Sequence, residues 1–448
     1  MYEALLIATG VPCLAAILVG AWYYRDSFHP LVYLGALLGM LYVVTPVYLL
    51  WEGEVQSFLS DGALVEIQIV CLIGVASMLA GVLRGAGAPV EGNTVAVMVG
   101  NEQQRRLRIG AIVLGLVAVA GFLYIIINVG GMEAAFGKFY GGGWDESGYV
   151  RELFLLSLPA LLWLMIAYQG GRPGWLGWTL IVLIASPFLV QGLLGARRGP
   201  TFMAVAGLTV GWYLMRRRRP RLVTALGGGL GLGALLLLLA TNREEFYIGS
   251  EFRLERTPLS YLNASRGNEY IYGGALILHA RERDEYYWGG RYVQLFLVHP
   301  VPRAWWPTKY EDTSQMLGVP AVDRGNGGLA IRELRGTVGW VGAIGAAPGV
   351  VADLWVEFWW LGMAGLFGLG WIYGRAWRKA ATQGGPWIPC FGVLTTLSIY
   401  LVMQDLEAMG YRALLMLAGS TAVWYASKAG LAGNIRVQRA VPQSGVES

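Results

Sequence analysis

Apolar residues along this chain gather in long runs separated by short polar stretches, and that spacing predicts its architecture. A bilayer core of roughly 30 Å takes a helix of about 20 mostly apolar residues. Eleven windows of that kind, bounded by charges or by Gly/Pro turns, fall at roughly 3–23, 31–51, 63–83, 109–128, 152–169, 175–195, 199–215, 222–240, 350–373, 387–403 and 409–427. The expected fold is therefore an all-α polytopic membrane protein: about eight transmembrane helices over 1–240, one large loop over 241–348, about three helices over 349–430, and a disordered tail over 431–448. Composition agrees, with 55% hydrophobic residues, 14% charged and a mean hydropathy of +0.50, well away from a soluble domain.

Charge supplies orientation. Basic residues are retained on the cytoplasmic side of short loops. An outside N-terminus puts Arg25, Arg84, Arg105, Arg106, Arg108, Arg172, Arg216 to Arg219, Arg221, Arg375, Arg378, Lys379, Lys428, Arg436 and Arg439 inside, and the C-terminus with them. Asp26, Glu91, Glu102 and Glu447 are the acidic residues on that side. The net charge of +5 is then a topology signal and gives no reason to invoke nucleic acid. The run Arg216 to Arg221 reads as an anchor for anionic headgroups. Cys13, Cys71 and Cys390 lie in predicted spans, which indicates neither disulfides nor a metal site. The first apolar run lacks a basic leader and reads as a retained helix.

The loop 241–348 is where chemistry is expected. It carries twelve basic, twelve acidic and fifteen aromatic residues, the composition of a folded segment. Within it Tyr270 to Ala280 and Tyr292 to Val298 are apolar but too short to span, which suits short interfacial or re-entrant helices packed on protein. The tract Gly336 to Gly349 suits another such element or an extended lead into the next helix. Gly227, Gly229, Gly231 and Gly233 follow no strand, so they predict close helix packing and not a nucleotide loop.

Several residues could carry chemistry. Arg197 and Arg198 sit between windows too long to form one helix, so they cap a tight hairpin on the side that should avoid arginines. They are snorkelling anchors or a grip on a lipid phosphate or pyrophosphate. In "FLVHPVPRAWWPTKYED" (Phe296 to Asp312), two prolines should hold the backbone extended between His299 and Arg303. Trp305 and Trp306 suit a membrane interface or a sugar face, and Lys309, Glu311 and Asp312 add charge. The segment is a surface loop with a tryptophan anchor or a substrate rim. His299 could act as a general base; His279 is the weaker candidate and His29 falls on the cytoplasmic side. Asp353 and Glu357 share one helix face at the outer end of the ninth window. Asp405 and Glu407 precede Arg412, as a structural ion pair or as a substrate contact. Glu52 and Glu54 form a weak ExE pair of the kind that chelates a divalent metal.

Three features together resemble a known family: the hairpin Gly195 to Pro200 (GARRGP), one large outer loop after the eighth window, and "PRAWWPTK" (Pro302 to Lys309) leading into "GVVADLWVEFWWLG" (Gly349 to Gly362). The chain resembles the polysaccharide repeat-unit polymerases of bacterial surface glycans, the Wzy-type or O-antigen polymerase family related to O-antigen ligases. The resemblance implies a C-type membrane glycosyltransferase of the bacterial inner membrane. It implies metal-independent, inverting transfer without a cofactor, with undecaprenyl-pyrophosphate-linked oligosaccharide as donor and acceptor and membrane lipids around it. A chain-length regulator is a further candidate partner. Carried onto this sequence, Arg197, Arg198 and Arg303 hold the pyrophosphate. His299, Glu311 and Asp312 compete for the base, and Trp305, Trp306, Lys309, Asp353 and Glu357 face the glycan. The alternatives are a flippase or transporter of a lipid-linked glycan, an O-antigen ligase-type transferase, or a transferase using a monophosphate-linked sugar.

Overall fold

The computed structural model describes residues 1–90, 100–137, 144–169, 171–216, 218–242, 245–250, 262, 269–320 and 347–429, with the backbone alone for 144–149. Much of the loop 241–348, including most of the tract Gly336 to Gly349, and the tail 431–448 lie outside the described residues.

Among the described residues the chain is helical throughout, with no strand. Six helices are long and apolar enough to cross a membrane: α1 (Tyr2–Tyr23), α2 (Pro30–Trp51), α3 (Asp61–Ala86), α4 (Asn101–Val129), α6 (Trp175–Leu193) and α8 (Leu222–Thr241). Between them lie α5 (Ser157–Ile166), entered through the 3-10 segment Trp144–Leu156, and α7 (Arg198–Arg216). Further on are α9 (Glu269–Arg283), α10 (Gly290–Val293, prolonged by the π-helical turn Gln294–Val298) and α11 (Lys309–Leu317). Last come α12 (Gly349–Phe358), α13 (Leu361–Thr382), α14 (Trp387–Met403) and α15 (Leu406–Lys428).

Local chemistry sets the helix ends. His29 precedes Pro30, whose fixed φ suits a first helical turn, and the His29 ring nitrogen Nδ1 accepts from Leu31 N at 3.2 Å. Ser60 caps α3 and Asp405 caps α15 through the amides of Ala63 and Ala408, satisfying donors that a helix start leaves open. Gly130 ends α4 in the left-handed region at φ 104°, where glycine carries no Cβ penalty.

The closest helix pair is α3 with α13. Gly81 and Gly85 face Gly370 and Gly374, and a Cβ at any of the four would overlap the carbonyl oxygen of Phe367, Trp371, Met78 or Val82 respectively. In lipid the hydrophobic effect does not press helices together, so backbone proximity through small residues supplies van der Waals contact instead. The glycines predicted to pack, Gly227, Gly229, Gly231 and Gly233 in α8, do not: nothing lies within 4 Å of a Cβ built on them. Their helix lies at the edge of the molecule, so its small face meets no neighbouring helix.

The ninth window also needs correction. Residues 350–373 do not form one helix, because Trp359 adopts φ 50° and breaks it. Residues 349–357 are all buried, while Trp359 and Trp360 are exposed. At Gly362 a Cβ would overlap the Leu354 carbonyl, and at Gly365 it would touch the Leu354 side chain, so α13 turns back along α12. A ten-residue helix is about 15 Å long, half a bilayer core; α9, buried from Glu269 to Ala280, packs beside it. Within the arginine run expected to anchor headgroups, Arg219 pairs with Asp26 at 2.7 Å.

Gly370→Val should lower the thermal midpoint of the purified protein by an amount equivalent to about 1–3 kcal/mol, because a backbone carbonyl cannot rotate away from the added carbons. Gly229→Ala in α8 should be neutral or slightly stabilising, measured in the same detergent.

Candidate functional site

Helix α6 ends at Leu193, and the chain reverses through Gly195 and Ala196, the latter at φ 46°. Arg197 N donates to Gly192 O at 3.0 Å, and Thr201 Oγ1 donates to Arg197 O at 2.9 Å, so the turn is tied on both sides. Arg198 opens α7 and its guanidinium meets Glu269 of α9 at 2.7 Å. Gly199 sits against the Tyr400 hydroxyl, where a Cβ would overlap it. Tyr400, from α14, has Arg412 of α15 stacked 4.4 Å from its ring centre. Arg197, Arg198 and Glu152 also lie within electrostatic reach of its hydroxyl. Three arginines from two elements thus surround one buried tyrosine.

The loop after α10 is compact where an extended backbone was predicted. Val301 N donates to Val298 O at 3.0 Å, and Trp305 N to Pro302 O at 2.9 Å. At its centre is Lys309, 1% exposed, whose ammonium donates to the carbonyls of Val298, His299 and Val301 at 3.2, 2.7 and 2.5 Å. Those contacts employ all three of its donors, so Lys309 fastens the loop and does not present its ammonium to a ligand. Asp312 accepts from Trp306 Nε1 at 2.6 Å and Thr308 Oγ1 at 2.7 Å. These bonds hold its carboxyl below the usual range, which makes it a poor base. Glu311 and Arg303 are exposed, as is Trp305 at 82%, and Arg303 lies 5.4 Å from the Tyr310 ring centre. His299 Nδ1 and the Tyr310 hydroxyl are 2.5 Å apart.

One turn of α15 connects the two groups. Arg412 faces Tyr400 beside the hairpin, and its neighbour Tyr411 meets the His299 ring edge-on at 5.2 Å. The hairpin and the His299 loop thus both pack on the same turn of α15, through Arg412 and Tyr411.

Asp353 and Glu357 do not. Both are fully buried and pair with Arg291: its Nη2 with Asp353, its Nε with Glu357 Oε1 at 2.7 Å and Glu407 Oε1 at 3.3 Å. Tyr292 OH and Leu406 N donate to Asp353 at 2.8 and 3.0 Å, and Gly289 N donates to Glu357 at 2.8 Å. The two carboxylates predicted to face glycan instead fasten α10 to α12 and α15. Glu407 turns to Arg291 and leaves Arg412 to Tyr400 and Ala408 O, so of the two readings for these residues the ion pair of Arg412 with Asp405 or Glu407 does not form. Burial pushes the Glu407 carboxyl, ahead of the apolar stretch 409–427, up to about 8 against the pull of Arg291, and burial and Asp353 raise Asp405 as well.

Sequence reasoning passed over Arg291, Tyr400, Glu152 and Glu269. A signal existed for Arg291: a lone cation in the otherwise apolar stretch 286–298 implies buried anions elsewhere, and Asp353 and Glu357 were the available pair. Among the described residues no group of three His, Cys, Asp or Glu side chains is arranged to hold a metal ion. No protein-family model, curated protein or solved structure matches the chain.

Arg291→Met should cost about 3–5 kcal/mol, because it leaves buried carboxylates uncompensated, read as a fall in thermal midpoint. Glu407 is held protonated in the fold, so its contribution is full below its ordinary 4.5 and lost as pH rises through about 8. Glu407→Gln should therefore flatten the decline of the midpoint across that window.

Proposed function

We propose that this chain polymerises lipid-linked oligosaccharide repeat units. On this reading it crosses the bacterial inner membrane eleven times with its N-terminus outside. Helix α13 supplies the ninth crossing, and α12 is a re-entrant half-helix beneath the outer loop. The proposal is supported by one observation above all: α15 brings Arg412 to the Arg197–Arg198 hairpin and Tyr411 to the His299 loop. Glycosyl transfer from a pyrophosphate carrier needs such a pairing of charge stabilisation and base.

Arg197, Arg198 and Arg412 bind the pyrophosphate of the growing chain, and Arg303, beside Tyr310, is a further guanidinium for it. A hydroxyl of the incoming unit attacks the anomeric carbon as the bond to the phosphate oxygen breaks, with inversion. The electron pair stays on the leaving pyrophosphate, whose charge the guanidinium groups stabilise in place of a metal. The hydroxyl proton passes to His299, for which the tautomer donating Nδ1–H to the Tyr310 oxygen puts the basic lone pair on Nε2. Glu311 and Asp312 are weaker candidates, since both are exposed and Asp312 is spent on Trp306 and Thr308. Trp305 offers an open ring to a sugar.

Arg197→Ala and Arg412→Ala should each reduce polymer by about 10²-fold or more, with single repeat units persisting on the lipid carrier and chelator without effect on the wild type. Full-length polymer in both variants overturns the mechanism. Flipping of the lipid-linked unit without its extension in vesicles favours the transport alternative.

A further inference from the structure

At the opposite end of α7 from the hairpin, roughly 27 Å away along the helix axis, a narrow cleft opens between four parts of the chain. They are the turn 26–28, α7 with the residues that follow it, α13 and α14. The space it encloses is small, about 40 Å³. Its walls are almost wholly apolar, with Tyr213, Trp377, Ala381 and Phe391 among them. Two guanidinium groups, Arg218 and Arg219, also line it; Arg218 is exposed and Arg219 partly so.

Asp26, the one carboxylate there, is already satisfied. It forms an ion pair with Arg219 at 2.7 Å and accepts from Trp377 Nε1 at 2.7 Å and from Phe28 N at 3.0 Å. Two arginines against one neutralised carboxylate leave a positive rim over an apolar slot, and Arg216 and Arg221 add to the same sign. That combination selects an amphiphile: a free anion gains nothing from the aromatic walls, and a neutral chain gains nothing from the arginines.

We infer that this cleft binds one membrane lipid with an anionic phosphate headgroup, the phosphate on Arg218 and Arg219 and a few methylenes of one acyl chain against the apolar walls. The enclosed space takes only a short piece of one chain. Its walls come from α7, α13, α14 and the α1–α2 turn, so an occupying lipid fastens the two halves of the protein together at this end. The inference is independent of the glycan reading, which concerns the other end of α7.

The test is thermal unfolding of the full-length protein in detergent, titrated with phosphatidylglycerol, with phosphatidylcholine of the same chains, or with inorganic phosphate. Phosphatidylglycerol should raise the midpoint saturably and more than phosphatidylcholine, and phosphate alone should not. Arg218→Gln, at an exposed position, should weaken the apparent affinity for phosphatidylglycerol roughly tenfold, and Ala381→Phe, which fills the slot, should abolish the difference between the two lipids. Equal stabilisation by both lipids, a midpoint rise with phosphate alone, or an undiminished response in Arg218→Gln would overturn the inference.

Discussion

Arg291 is one guanidinium among buried carboxylates, and the arrangement of the loop side of the molecule depends on it. Desolvating four ionisable groups is tolerable only when a cation sits among them and backbone amides take the remaining lone pairs. Here Asp353, Glu357 and Glu407 converge on Arg291, while Leu406 N and Gly289 N supply the amides. Because the partners come from α10, α12 and α15, this one cluster sets the position of the half-helix, of the start of α15 and of the loop that carries His299. Acid outnumbers base in the cluster, so part of it remains protonated near neutrality.

Two other contacts complete the frame. The glycine-lined approach of α3 and α13 joins the N-terminal helices to the C-terminal ones without bulky side chains. Asp26 does the same at the far end through Arg219 and Trp377. Between these fixed points α14 and α15 run past the hairpin, and Tyr400 and Arg412 arrive where Arg197 and Arg198 wait. The candidate site is thus a consequence of helix packing: its five cationic or titratable groups come from three separate stretches of chain, at 197–198, 299–303 and 412.

Much of the helical content was legible in the sequence, since each apolar window coincides with a helix or part of one. The hairpin at Arg197 was legible too, because helix-length arithmetic forbids a continuous element. The break at Trp359 was not: "VEFWWLGMAG" is apolar on both sides, and only a left-handed residue in the fold separates two helices there. Lys309, Asp353 and Glu357 were misplaced for one reason. A charged residue near a predicted interface looks available to a ligand, and nothing in a linear chain distinguishes a charge facing solvent from one enclosed by its own protein.

What the sequence determined by itself is the helical character of the protein, the apolar content of helices long enough to cross a membrane, and the hairpin at Arg197, because these follow from local apolar content and helix length. What the tertiary structure decided is which charges are spent on architecture and which come together at the hairpin. Arg291 and Lys309 are enclosed by partners that lie elsewhere in the fold, whereas Arg412, far along the chain from the hairpin, is delivered to it. Such assignments depend on desolvation and on distances between remote segments, quantities that exist only once the helices have packed.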